Sequence, residues 1–287
     1  MTEYLIGPDR LGLVIQTGGD FVDIFAKDIY NGSPVSEKNK REKRRLTLLI
    51  ETGTQESPFR KFENPNGLIG GIEYRFDGTR VRFESTALYG EIDFLSGYGE
   101  VTVTNVQSTD LDTLLRQVVF RLGAETNLLM LHSVCWVLGG YAFLSCGPAE
   151  SGKSTIGRML KDALPVLSDE FNFVECCTDG ARVLRSPVRA IEPIKDLDES
   201  YPVRAILFHK KNDRPYVRPI CSADALRELE KNVFAGAFAT IDIKVAAFER
   251  ASEIAENAAV FEIGVTLEKR GILRNIGKIE RHLEGIV

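Results

Sequence analysis

The chain has 287 residues, of which 44% are hydrophobic and 27% are charged, and its 36 Lys and Arg against 41 Asp and Glu give a formal net charge of −5. At roughly 150 residues per domain, this length and composition indicate about two hydrophobic cores and exclude a disordered protein, a collagen and a small disulfide scaffold. The acidic balance argues against a general nucleic-acid binder, which needs a basic face to displace counterions from phosphates.

The N-terminal residues MTEYLIGPDR carry acidic side chains and lack the positive start and apolar stretch of a secretory signal, so none is predicted. The five cysteines are an odd number and show no CxxC spacing. They indicate a reduced, cytoplasmic compartment and no zinc site.

Residues 1–107 are predicted to form an antiparallel β-rich domain. Apolar and charged side chains alternate along 79–85 and 91–94, a period of two that is typical of half-buried strands. The basic run EKNKREKRR at 37–45 fits either a solvated loop or a docking patch for an acidic partner. Hairpin turns are predicted at Gly18-Gly19, Asn31-Gly32, Asn66-Gly67, Asp77-Gly78 and Gly97 to Gly99.

The hydrophobic period changes at residue 108, where a second domain, 108–287, is predicted to begin. Ser108 to Asp110 can cap a helix with an apolar face from Leu111 to Leu122, and Gly123 predicts its end. A mixture of strands and helices follows, so the fold class is α/β, or α+β with the β-rich N-terminal domain included. Strands are predicted near 129–137, 141–146, 165–177 and 203–209, and helices near 222–234, near 241–257 and along the stripe from Ile272 to Leu283.

The stretch 126–149 contains no Asp, Glu, Lys or Arg and approaches the roughly 20 residues of a membrane-spanning helix. Gly139-Gly140 interrupts it, and His132 and Ser133 lie inside it. Two strands joined by a tight hairpin explain this stretch better, so no membrane association is predicted.

A phosphate-binding loop (P-loop, or Walker A motif) is predicted directly after the strand 141–146, where the sequence fits GxxxxGK[ST] and a helix-compatible segment follows. In such a loop glycines let successive N–H groups converge on phosphate oxygens, the lysine neutralises the β- and γ-phosphates of ATP, and the serine hydroxyl reaches Mg²⁺. Glu150 is unusual, because a carboxylate among polyanions costs roughly 1 kcal/mol unless it points to solvent or to a cation. The predicted nucleotide-binding residues are Gly147, Pro148, Ala149, Glu150, Ser151, Gly152, Lys153, Ser154 and Thr155.

Phosphoryl transfer also needs a second metal ligand and a group that accepts a proton. The segment 165–170 fits a short apolar strand that ends in two acids, Asp169 and Glu170. Adjacent strand residues point to opposite sides, so one acid can bind Mg²⁺ while the other approaches the acceptor; a solvated strand end is the alternative. His132 can hold one of these acids by a hydrogen bond, or it can serve in packing alone.

Four segments together resemble the catalytic domain of the HPr kinase/phosphorylase family, and in particular its HPr-kinase-like relatives: Leu131-His132-Ser133, the Gly-Gly hairpin, the loop 147–155 and Leu167-Ser168-Asp169-Glu170. Their order and spacing match, and the resemblance covers about 125–287. It implies a P-loop kinase-like domain, ATP and Mg²⁺ as cofactors, and a homo-oligomer. It also implies that Lys153 and Ser154 hold phosphates and metal, that Asp169 is the base toward a serine hydroxyl, that Glu170 ligates metal and that His132 orients Asp169.

The chain departs from the family at two places in these segments. Pro148 stands where HPr kinases carry an acid, and Glu170 follows Asp169 where they carry two aspartates. These departures argue against recognition of HPr itself and against phosphorolysis of seryl-phosphate. The resemblance to the looser HPr-kinase-like relatives implies a peptide or another small acceptor. The family's later glutamate-arginine-glycine signature and PGRN-type loop are absent from the sequence, although a comparable region contains Arg185, Arg189 and Glu192.

The leading hypothesis is therefore a serine kinase, an ATP- and Mg²⁺-dependent transferase that moves the γ-phosphoryl group to a hydroxyl of an unidentified protein or peptide. Its predicted catalytic residues are Asp169, His132 and Lys153, and its predicted metal ligands are Ser154 and Glu170. A catalytically silent nucleotide-binding regulatory module is the first alternative, suggested by Glu150 and the missing signatures. A metabolite enzyme related to the carboxykinases is the second.

Overall fold

The computed structural model describes residues 2–6, 11–18, 22, 33–34, 46–53, 66–148, 151–178, 180–186, 200–234, 236–265 and 269–285. Several predicted features lie outside these residues: the basic segment 37–45, the turn at 31–32, position 19, Ala149, Glu150, Arg189 and Glu192. No helix in the described part of the chain is both long and apolar enough to cross a membrane.

The chain divides into two compact units, residues 1–126 with 236–240 and residues 127–235 with 241–287. The first unit contains a nine-stranded sheet in the order β3-β1-β2-β4-β9-β8-β7-β6-β5. Its strands are β1 (Thr2–Ile6), β2 (Leu13–Thr17), β3 (Ser33–Pro34), β4 (Leu46–Thr52), β5 (Gly67–Ile69), β6 (Ile72–Asp77), β7 (Arg80–Glu84), β8 (Leu88–Asp93) and β9 (Tyr98–Val103).

Each successive pairing from β5 to β9 is antiparallel, and the predicted turns at Asp77-Gly78 and Gly97 connect β6 to β7 and β8 to β9. The predicted hairpin turn at Asn66-Gly67 is wrong, because Gly67 begins β5 and the turn to β6 lies at Gly70 and Gly71. The expectation of an entirely antiparallel sheet is wrong, because β4 pairs in parallel with both β2 and β9. Period two shows that a strand has one buried face, but it carries no information about the direction of the neighbouring strand.

The helix α1 (Asp110–Glu125) also belongs to the first unit, whereas the sequence analysis assigns it to the second domain. Gln117 and Arg121 explain the grouping, because they bond to the N–H of Ala237 and the carbonyl oxygen of Phe238 at 2.8 and 2.9 Å. The helix runs past its predicted end at Gly123, whose carbonyl oxygen accepts a hydrogen bond from the Thr126 N–H at 2.9 Å.

The second unit contains an eight-stranded sheet among the described residues, in the order β11-β10-β13-β14-β15-β17-β16, with β12 beside β10 and a further parallel pairing of β11 with β15. Its strands are β10 (Leu128–Leu138), β11 (Tyr141–Cys146), β12 (Val166–Ser168), β13 (Phe171–Cys177), β14 (Gly180–Leu184), β15 (Ser200–Lys211), β16 (Tyr216–Pro219) and β17 (Val260–Val265). Its helices are α2 (Lys153–Leu160), α3 (Ser222–Glu230), α4 (Ile241–Asn257) and α5 (Lys269–Leu283).

Two apolar clusters cover opposite faces of this sheet. One joins Leu144 and Phe208 to Ala225 and Leu229 of α3 and to the buried face of α4. The other joins Val134, Phe143 and Leu207 to α2 and α5. Successive side chains of a strand point to opposite faces, so alternate residues along each strand belong to alternate clusters. Side chains on the same face as the second cluster therefore lie on the face that α2 covers.

The stretch 126–149 forms the predicted hairpin, with β10 and β11 antiparallel and Gly139 and Gly140 in left-handed conformations at its turn. The predicted strand 165–177 is instead two strands, β12 and β13, both antiparallel to β10 and separated by Asp169 and Glu170. This interruption matters for the site, because it places both acids at a break in the pairing.

Candidate active site

The predicted phosphate loop connects β11 to α2, the arrangement that the motif requires. Gly147, Pro148, Ser151 and Gly152 are described, and Gly152 precedes the helix with φ 102° and ψ 12°. Only glycine adopts this left-handed conformation without steric cost. The turn directs the chain into α2, whose first-turn N–H groups provide the positive end of the helix dipole.

Lys153 lies across its own loop. Its Nζ donates to the carbonyl oxygens of Gly147 at 2.7 Å and Pro148 at 2.9 Å, and the residue is only 5% exposed. Burial lowers the pKa of this ammonium. An ammonium has three N–H donors, so one remains beyond these two bonds, and an anion beside it would offset the cost of burial.

A histidine that the sequence analysis did not identify, His209 of β15, lies against the loop. Its Nε2 is 2.8 Å from Oγ of Ser151, and its Nδ1 is 3.0 Å from Oγ of Ser145, near the end of β11. The ring is 2% exposed, and burial, together with the nearby charge of Lys153, lowers the pKa of His209 to about 4. The imidazole is therefore neutral at pH 7.

Asn232, after α3, fixes the first residue of the loop. Its Oδ1 accepts from the N–H of Gly147 at 3.0 Å, and its Nδ2 donates to the carbonyl oxygen of Glu228 at 2.8 Å. Its own carbonyl oxygen accepts from the N–H of His132 at 2.8 Å. The side chain and the main chain of one buried asparagine thus connect the predicted phosphate loop, α3 and β10.

The two predicted acids lie level with the start of the phosphate loop, across one strand. Ser133 of β10 pairs with Cys146, which precedes the loop, and its N–H donates to the carbonyl oxygen of Glu170 at 3.1 Å. Neighbouring strands are about 4.8 Å apart, so the backbones at Cys146 and Glu170 are separated by about 10 Å. Asp169 is buried and Glu170 is half-buried. The N–H of Glu170 is close to the hydroxyl of Ser168, at 3.2 Å.

A second buried amide supports the break between β12 and β13. Nδ2 of Asn172 is 2.7 Å from the carbonyl oxygen and 3.0 Å from the hydroxyl oxygen of Ser133. Asn172 is fully buried, and a buried amide that is bonded in this way costs free energy to displace. Asn172 therefore holds β13 to β10 two residues after Glu170.

His132 occupies β10 one residue before Ser133. Its ring lies 5.2 Å from that of Phe171, and it is half-buried. Alternation places it on the face of Val134 and Trp136, which α2 covers. It therefore shares a sheet face with the helix that follows the phosphate loop.

The predicted residues thus fall into two groups in the second unit. The described loop residues among 147–152 lie between β11 and α2, and Lys153, Ser154 and Thr155 form the first turn of α2. His132 lies on β10, and the two acids lie at the break between β12 and β13. Their roles stay predictions. In the described part of the chain, no three His, Cys, Asp or Glu side chains come together as a metal site.

Sequence reasoning missed His209, Asn232 and Asn172. A signal for His209 exists, because it directly follows the apolar run Ala205 to Phe208 in a predicted strand, and ligand sites form at the carboxyl ends of parallel strands. Asn232 and Asn172 give no comparable signal, since each acts through backbone groups that only the folded chain brings near.

No protein-family model matches the chain, and no curated protein matches its sequence. Among solved structures, the chain matches the Hpr(Ser) kinase/phosphatase from Coxiella burnetii with 10% sequence identity and a TM-score of 0.32. The match covers 54% of this chain and 97% of the Coxiella burnetii chain.

Proposed function

We propose that this chain is an ATP- and Mg²⁺-dependent kinase that transfers the γ-phosphoryl group to a hydroxyl. The observation that supports this best is the register at Ser133, which pairs with the residue before the phosphate loop and bonds to the second of two consecutive acids. A nucleotide held by the loop would extend its terminal phosphate toward the carboxylates at the break between β12 and β13. A transfer site needs a phosphate cradle, a metal ligand and a proton acceptor in such proximity.

The residues of the loop supply the electrostatic part of the reaction. The ammonium of Lys153 is already held beside the first two loop residues by their carbonyl oxygens and would neutralise the β- and γ-phosphates. The N–H groups at the start of α2 would bind phosphate oxygens. These positions cost no reorganisation at the moment of transfer, which is what makes fixed charges effective in catalysis.

Magnesium fits the oxygen donors that are available. Mg²⁺ keeps several waters and takes one or two protein oxygens together with phosphate oxygens, so a cluster of three protein ligands is not required. The exposed hydroxyl of Ser154 and the carboxylate of Glu170 are the proposed ligands. Held by these two side chains, the metal would offset the negative charge of the phosphates during transfer.

Asp169 is the proposed base, with His132 as the residue that orients it. The acceptor O–H would give its proton to the carboxylate of Asp169, its oxygen would form a bond to the γ-phosphorus, and the bond from that phosphorus to the bridging oxygen would break, releasing ADP. The resemblance of the motifs to HPr-kinase-like proteins indicates a serine of a protein or peptide as the acceptor.

Transfer from γ-labelled ATP tests the proposal, with Mg²⁺, the purified chain and a lysate of its own source as the supply of acceptors. We expect a labelled product with the wild type, none with Lys153→Ala and far less with Asp169→Asn. Removing the base should lower transfer by about 10²- to 10⁴-fold while ATP still binds. Chelation of Mg²⁺ should abolish labelling.

Matched controls come from the exposed residues after α2. Lys161→Ala and Asp162→Asn remove the same charges outside the site and should leave labelling unchanged. Transfer by Asp169→Asn at the wild-type rate would show that the assigned base is wrong. Binding of ATP without any transfer would favour the regulatory module, which the carboxylate of Glu150 within the loop motif suggests.

A further inference from the structure

The buried ring of His209 contacts two serine hydroxyls, one before the loop and one within it. Ser145 precedes the loop by two residues and Ser151 ends its variable part, and the two ring nitrogens of His209 lie 3.0 and 2.8 Å from their hydroxyl oxygens. The ring thereby ties the loop to the rigid end of β11. Lys153 fixes the same loop from the opposite end of the motif.

The contact between the ring and the loop is close. A Cβ atom placed on Gly147 would lie 2.9 Å from Cε1 and 3.0 Å from Nε2 of His209, and 2.9 Å from Oγ of Ser151. Two of these distances are shorter than real Cβ contacts and the third is tighter than most, so a side chain at position 147 would displace the imidazole or the Ser151 hydroxyl. The first glycine of the motif therefore makes room for His209 on this side of the loop.

The sheet determines where this ring can lie. β15 runs parallel to β11, with Phe208 level with Cys146, so His209 comes level with the start of the loop. Leu207 enters the cluster beneath α2, and alternation places His209 on the same face. A polar ring that is almost fully buried needs partners for both nitrogens, and the two serines provide them.

We propose that His209 is a positioning residue of the phosphate loop, which through its hydrogen bond to Ser151 holds the loop in the conformation that receives nucleotide phosphates. The identity of the ligand rests on the proposed function. The hydrogen bond that holds the loop is present in the nucleotide-free chain. The two parts can therefore be tested separately.

Two conservative substitutions separate the two nitrogens of the ring. His209→Gln carries an amide to the position of Nε2 and can still reach Ser151, whereas His209→Asn carries it only to the position of Nδ1, near Ser145. We expect affinity for ATP with Mg²⁺ to fall about tenfold in His209→Asn and to stay within about threefold of wild type in His209→Gln. A purely structural role would make the two variants alike.

Ser151→Ala provides the partner in a double-substitution cycle and removes only a hydroxyl from a half-buried position. It should weaken ATP binding about as much as His209→Asn, and the two changes together should cost no more than one alone. His282→Gln is the matched control. His282 lies on α5 with its ring beside that of Phe261, so this substitution should leave the affinity for ATP unchanged. Thermal unfolding of each variant establishes that it is folded.

Titration calorimetry with ATP and Mg²⁺ gives the affinities, and amide hydrogen exchange over 147–155 in the nucleotide-free chain gives the order of the loop. Faster exchange in Ser151→Ala and His209→Asn, but not in His209→Gln, supports the proposal. Equal exchange and equal affinity in all variants overturn it. If the wild type binds no ATP, the proposed function fails, and the exchange rates alone then decide the role of His209.

Discussion

At the residue scale, the buried state of His209 makes the stability of the chain depend on pH. Burial, with the charges of Lys153 and Lys210, lowers the pKa of this ring from 6.5 to about 4. The unfolded chain therefore binds a proton at this residue at higher pH than the folded chain does. The resulting stabilisation is complete above pH 6.5 and is lost as the pH falls toward 4.

We expect this residue to contribute about 3 kcal/mol less to the free energy of unfolding at pH 4 than at pH 7. Urea unfolding of the wild type and of His209→Gln across this range isolates the contribution, since other titrating groups are common to both. The free energy of unfolding of the wild type should fall by about 3 kcal/mol relative to that of His209→Gln between pH 7 and pH 4. A difference that is independent of pH would mean that the ring is already charged or exposed in the folded chain.

At the scale of single elements, one glycine that precedes a helix and one that lies within a helix should respond to alanine in opposite ways. Gly152 precedes α2 with φ 102°, where an L side chain is strained, so Gly152→Ala should lower the free energy of unfolding by about 1–2 kcal/mol. Gly277 lies within α5 and a Cβ there would meet nothing within 4 Å. Gly277→Ala should raise the free energy of unfolding by about 0.5–1 kcal/mol.

Chemical denaturation of both variants checks these signs, and calorimetry with ATP checks their consequence for the site. Gly152→Ala should also weaken ATP binding, because the turn into α2 directs the first-turn N–H groups, whereas Gly277→Ala should not change it. Two variants with the same sign of stability change would contradict the left-handed conformation at Gly152.

The same elements show how far sequence reasoning extends. The strand and the helix that flank the predicted phosphate loop could be predicted because their sequence signals are local, and the β10–β11 hairpin because Gly139-Gly140 marks its turn. The end of a strand at Asp169 and Glu170 could also be predicted, but the start of a second strand directly after them could not, because apolar residues continue on both sides of the two acids. The bonds from Ser133 and Asn172 that fix this break join residues 37 to 39 positions apart.

Contacts over long sequence distances also decide the strand directions and the grouping of α1. The parallel pairing of β4 with β2 and β9 depends on connections that no local pattern records. Likewise, an amphipathic helix such as α1 shows that one face is buried without showing which sheet buries it. The sequence therefore predicts most elements, but the assignment of α1 required the contacts at Gln117 and Arg121.

At the scale of the whole chain, a short segment between α3 and α4 belongs to the first unit, although both helices belong to the second. Phe238 is its central residue and is 1% exposed. Its ring meets those of Tyr74, Phe76 and Phe94 edge to face, with centroids 5.8 to 6.4 Å apart. The first unit is therefore completed by residues that follow it by more than a hundred positions.

The dependence of the first unit on this segment predicts a large effect of Phe238→Ala. Truncating a fully buried phenylalanine costs about 3–5 kcal/mol, so the urea midpoint by circular dichroism should fall, and hydrogen exchange should quicken in α1, β6 and β8. Phe248→Ala is the matched control, because Phe248 is 47% exposed on α4 and its truncation should change stability by less than about 0.5 kcal/mol. Equal effects of the two substitutions would show that Phe238 does not complete the core of the first unit.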